Sequence, residues 1–194
     1  MAAVLDFNLI CKEFFDFEPI LHNTEVEKLE IKIVKISCID NWMWENQQDL
    51  QNMYLASRAL NESKIIIINL KSTILKNLGL YVEKINGEYV YNLWINTEGY
   101  PGLDADKINS SNEHYFQRFY QIFGDIVKKQ SILFRILGIG TETYFQYKEN
   151  NLDAIRTSEN VITWIGNEDF KYEGALDNYK KRKVDGVDFY IFER

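Results

Sequence analysis

The chain contains two imidazoles, His22 and His114, so a Ser- or Cys-based nucleophilic triad would have to be built on one of them. Neither stands in a suitable setting. His22 lies in an acidic stretch without hydrophobic periodicity, His114 follows Glu113 at the start of a helical pattern, and no Gly-x-Ser-x-Gly occurs. Both read as solvated surface histidines. Cys11 and Cys38 are far apart and outside any Cys-x-x-Cys spacing, which reads as two buried free thiols. Gly138-Ile139-Gly140 follows a β-like run, but position 143 is Thr where a dinucleotide fingerprint needs glycine, so strand termination is the expected role. Asp104 and Asp106, with Glu98 and Asn109 nearby, offer oxygen ligands; a calcium loop begun at Asp104 fails at Ile108 and Tyr115. The 29 carboxylates leave a hydrolytic acid pair open without selecting one. No cofactor or metal site is expected, and catalysis is not the expected activity.

Aromatic side chains beside acids are the more specific lead. Trp42, Trp94 and Tyr100, together with Glu98, Asp104 and Asp106, form the candidate partner-binding set, because Trp and Tyr anchor interfaces while carboxylates steer a basic partner. Trp42 and Trp44 are two positions apart; on one helix they point to different sides, leaving one exposed.

The elements that must carry these residues can be read from periodicity. Asn86-Gly87 between two β-rich runs is a hairpin turn signal. A two-residue turn pairs Ile85 with Glu88, Lys84 with Tyr89, Glu83 with Val90, Val82 with Tyr91 and Leu80 with Leu93. One face of the hairpin is then apolar, and the other mixes Tyr81, Val90 and Trp94 with Glu83, Glu88 and Asn92. Alternation at Leu29, Ile31 and Ile33 predicts a half-buried strand, and Ile65 to Ile68 a strand covered on both faces. A first helix is expected from Asp40, capped there, to about Asn61; a second follows a capping box of Ser110 and Glu113, with Tyr115, Phe116, Phe119, Ile122, Phe123, Ile126 and Val127 on one stripe. Residues 98–109 read as an irregular loop, residues 1–27 as an acidic N-terminal segment, and Val161 to Ile165 and Val187 to Phe192 as short β-like runs.

These elements predict one α+β domain over residues 1–194, with an antiparallel or mixed central sheet and two main amphipathic helices packed largely on one face. The net charge of −7 disfavours a nucleic-acid binder, and no apolar run approaches membrane-spanning length. Residues 1–10 lack a basic and then apolar leader pattern, so a cytoplasmic protein is expected. Abundant Ile, Asn and Lys match A/T-rich codons and a low-GC bacterial or phage source. An acidic surface with aromatic anchors suits binding of another, basic protein, as an immunity or antitoxin-like neutraliser of a toxin nuclease would. The alternatives are a small-molecule-binding or hydrolytic domain with its site between the sheet and the 98–112 loop, and a phage structural or assembly subunit.

Overall fold

The computed structural model describes residues 3–130, 134–141, 143, 160–167, 179–183 and 189–194. In chain order the elements are β1 (Val4–Cys11), α1 (Glu18–Leu21), α2 (Thr24–Glu27), β2 (Lys32–Ile39), β3 (Gln48–Leu50), α3 (Met53–Asn61), β4 (Ile65–Lys71), β5 (Leu78–Ile85), β6 (Glu88–Asn96), α4 (Glu113–Gln130), β7 (Phe134–Thr141), β8 (Val161–Asn167), β9 (Lys180–Lys183) and β10 (Phe189–Glu193). The strands form one sheet of ten in the order β3-β2-β4-β5-β6-β1-β7-β8-β10-β9. Every pairing is antiparallel.

The expected α+β architecture with two main helices is overturned. Strands hold 43% of the described residues and helices 22%, so the continuous antiparallel sheet organises the fold. Two misread segments account for the difference. Residues 1–27 are not simply an acidic segment: β1 occupies the middle of the sheet, between β6 and β7. Its Leu5, Phe7, Leu9 and Cys11 alternate with Asp6 and Asn8, and both polar side chains are only 4% exposed. The expected first helix also fails over its first half. Asn41 Oδ1 accepts from the Met43 amide at 2.9 Å, Asn41 Nδ2 donates to Glu45 at 2.6 Å, and Asn46 Nδ2 donates to Asp40 at 2.7 Å. Such local bonds compete with helical ones, and Trp44 and Asn46 adopt positive φ. A turn and β3 result, and α3 starts only after Asn52, whose side chain caps it by accepting from the Leu55 amide at 3.0 Å.

The β5–β6 hairpin has the expected register, from Ile85 opposite Glu88 to Leu80 opposite Leu93. Asn86 and Gly87 both have positive φ, 53° and 85°, as a type I′ turn requires. Antiparallel alternation then sorts side chains between two faces. The main apolar cluster runs along one face, from Ile36 and Cys38 through Ile68, Leu80, Tyr91, Leu5 and Leu137 to Ile165 and Ile191. Met53, Ala56 and Leu60 of α3 and Phe116 and Tyr120 of α4 are buried in the same cluster. The hydroxyl of Tyr120 lies 2.8 Å from that of Thr163, tying α4 to β8. Ser110 is exposed, and α4 begins at Glu113, so the helix does not start at the expected Ser110; ahead of it, Asn109 Oδ1 accepts from the Ser111 amide at 2.9 Å and the Asn109 carbonyl accepts from the Glu113 amide at 2.9 Å. Asn112 is fully buried; it accepts from the Asn109 amide at 2.7 Å and donates to the carbonyls of Gly102 and Lys107 at 2.8 and 3.1 Å. Of the late β-like runs, the first lies in β8 and the second in β10, except for Val187 and Asp188, which fall outside the described residues.

Candidate functional site

A cavity of about 330 Å³, partly open to solvent, lies between α4 and the centre of the sheet. Phe7 and Leu9 of β1, Leu80 of β5, Tyr91, Leu93 and Ile95 of β6, and Leu137 and Ile139 of β7 form its floor. Tyr115, Phe119, Ile122, Phe123 and Ile126 of α4 cover it, and their three- and four-residue spacing is what turns them to one side. Phe15, Phe17, Ile20, Leu29 and Ile31 close one end, and Ile74, Leu75, Tyr100 and Leu103 contribute to the rest of the wall.

Several contacts hold the cavity open in this shape. Phe7 meets Phe119 edge to face at 4.8 Å, a post between sheet and helix. The ring of Phe15 stacks on Tyr91 at 4.1 Å. The Tyr91 hydroxyl accepts from the Phe15 amide at 2.9 Å and donates to the Phe15 carbonyl at 2.8 Å. Burial pushes this phenol above the ordinary tyrosine range, so it stays a neutral strut. Tyr100 does the same for the neighbouring loop, accepting from the Lys76 amide at 3.2 Å and donating to the Ile74 carbonyl at 3.0 Å. Two of the wall's hydroxyls are thus consumed by backbone. Arg118 alone among the described lining residues carries charge.

The size of the void separates it from a packing defect. Protein interiors rarely leave gaps larger than a water molecule, and a space of about 330 Å³ is many times that size. The volume falls at the lower end of small-molecule sites, about 300–1,000 Å³.

The six residues expected to bind a partner divide into two groups. Glu98, Asp104 and Asp106 are exposed on the loop before α4, and Tyr100, half-buried beside them, lines the cavity. Trp94 alternates with Leu93 and Ile95 on β6, which places it on the opposite sheet face. Its indole lies over Gly79, where a Cβ would come within 2.7 Å of the ring. Trp42 sits in the β2–β3 turn, donates from Nε1 to Glu83 at 3.0 Å and meets Tyr81 edge to face at 5.1 Å. Tyr81 in turn lies 6.1 Å from Trp94, so the two tryptophans share one aromatic row, away from the acidic loop. Behind the row, Asn92 donates to Asp6 and Asn8, each at 3.0 Å, and Asn8 donates to Thr143 at 2.6 Å. This buried polar ladder absorbs the hydrophilic positions of the mixed face.

The remaining chemical candidates take structural roles. Gly138 seats Trp164: a Cβ there would approach the indole to 2.7 Å. His22 faces Glu27 at 3.9 Å from the surface, and the ring of His114 lies tilted against that of Tyr115 with centroids 3.9 Å apart. Burial pushes the Cys11 thiol up to about 12, which removes it as a nucleophile. Among the described residues no group of three His, Cys, Asp or Glu side chains is arranged to hold a metal ion. No described helix is long and apolar enough to cross a membrane. Of the site expected between the sheet and the 98–112 loop, Tyr100 and Leu103 do line the cavity; its extent beneath α4 was not legible in the sequence because the walls come from nine separate segments. The traceable signals were the alternation of β1 and the cluster Phe14-Phe15-Asp16-Phe17. Compared with protein-family models, curated proteins and solved structures, the chain has no significant match.

Proposed function

We propose that this chain binds an apolar small molecule in the cavity beneath α4. The observation that carries the reading is the cavity itself: about 330 Å³ between helix and sheet, walled by aliphatic and aromatic side chains. The described lining offers no carboxylate and no imidazole, which favours carriage or sensing over hydrolysis. A ligand with a hydrocarbon body would gain about 0.8 kcal/mol per methylene buried, close to fourfold in affinity for each. The test is displacement of a polarity-sensitive dye from delipidated protein by a homologous series of alkyl compounds, with native mass spectrometry to count bound molecules. Affinity rising steeply with chain length and then levelling as the cavity fills supports the reading. Absence of saturable binding across the series refutes it.

A second reading rests on a different observation, the exposure of Glu98, Asp104 and Asp106 on one loop beside a polar surface depression that includes Thr97 and Pro101. Such a loop suits electrostatic steering of a basic protein in the manner of an immunity protein. Asp104→Asn combined with Asp106→Asn should then slow association and flatten its salt dependence, once a partner is in hand. An unchanged rate removes the loop from the interface. The buried free thiols of Cys11 and Cys38 suit a reducing compartment such as the cytoplasm.

A further inference from the structure

Arg118 stands where the cavity meets solvent. It belongs to the apolar lining, yet its side chain is 39% exposed and reaches out to Glu25 of α2, with Nη1 2.8 Å from Oε2. Glu25 does not depend on it, because its other oxygen holds Lys28 Nζ at 2.6 Å. The hydrogen bond from Lys28, with the nearby charges of Lys28 and Arg118, keeps the Glu25 carboxyl below its ordinary range, while its partial burial and Asp125 act the other way. A guanidinium carries five donors in a planar fork, and this ion pair engages one end of it. The arrangement is an apolar chamber with one cation at its rim, held by a carboxylate that has a second cation to fall back on.

We infer that the ligand is a single-chain carboxylic acid, its hydrocarbon tail in the cavity and its carboxylate on Arg118, in place of Glu25. This rests on the reading of the cavity as a ligand site. The alternative is that Arg118 only clamps α2 to α4. A charge-assisted, two-point contact between guanidinium and carboxylate is strong enough to favour the acid over a neutral ligand of equal length by about 10- to 100-fold.

The experiment compares decanoate with methyl decanoate, both below their aggregation limits, by dye displacement from delipidated wild-type protein and Arg118→Gln. The expected result is a 10- to 100-fold preference for the acid in the wild type, falling to near unity in Arg118→Gln through loss of acid affinity with ester affinity retained. Equal affinities in the wild type, or a preference that survives Arg118→Gln, overturn the inference and leave the cavity reading standing, since the ester still binds. Failure of both ligands to bind overturns both. Should Arg118→Gln not fold, Glu25→Gln keeps the guanidinium and removes its competitor; the acid preference should then rise several-fold, and an unchanged preference overturns the inference.

Discussion

Replacing Leu93 by Phe tests whether the space under α4 is a real chamber, because the sign of the stability change depends on it. Leu93 lies mid-sheet, opposite Phe7 on β1 and Leu80 on β5, and its side chain lines the 330 Å³ cavity. In a close-packed core the larger ring would force neighbours off their rotamers and cost about 1–3 kcal/mol. Inside a chamber it fills empty space, and the extra carbons, at about 0.8 kcal/mol per buried methylene, contribute roughly 1–2 kcal/mol instead. For a chain of this size that is a rise in Tm of about 2–8 °C. The same variant should lose ligand response. A ligand at 100 times its Kd stabilises the native state by about 2.7 kcal/mol, raising the wild-type Tm by about 5–11 °C, whereas the filled chamber should respond much less. Urea melts establish the sign, and thermal melts with and without decanoate measure the response. Destabilisation of Leu93→Phe by a kilocalorie or more, with an undiminished ligand shift, would refute the reasoning.

Asn112→Ala should cost about 1–3 kcal/mol, since it orphans the Asn109 amide and two carbonyls that the buried side chain now satisfies, while Ser110→Ala should stay within about 0.5 kcal/mol; denaturant melts of the pair check the order. Gly138→Ala should cost about 1–3 kcal/mol, because the new Cβ comes within 2.7 Å of the Trp164 indole, and an altered tryptophan emission spectrum should accompany the loss. Gly87→Val, at φ 85° with open space around the Cβ, should destabilise the hairpin through backbone strain alone by about 1–2 kcal/mol, read by urea melts. Burial raises Cys11 to about 12 in the folded state and raises Tyr91 and Tyr120 as well. These groups therefore leave stability at its full value below their unfolded pKa values and erode it as pH climbs from about 9 toward 12, by roughly 1 kcal/mol per unit for each group in its window. Stability curves across that range, together with a thiol reagent that labels Cys11 only on unfolding, give the check.

What the sequence determined by itself is local. Asn86-Gly87 dictated a type I′ turn and therefore the register of sixteen paired side chains, because a two-residue loop leaves no freedom to slip. The unbroken Ile65 to Ile68 run required cover on both faces, and those four residues are buried on the two sides of β4. The stripe on α4 required something apolar to face it. Tertiary structure decided everything that depends on distant neighbours. Asp6 and Asn8 look like solvent-facing positions of an edge strand, and their bonds with Asn92 and Thr143 help β1 to lie at the centre of the sheet. Trp42 and Trp94 look like exposed anchors until the fold sets them on either side of Tyr81. The cavity belongs to this second kind of information. Each wall residue, taken alone, is an ordinary core residue; only the stand-off between α4 and the sheet, held by the Phe7–Phe119 contact, leaves room among them, and no local pattern encodes the volume that remains.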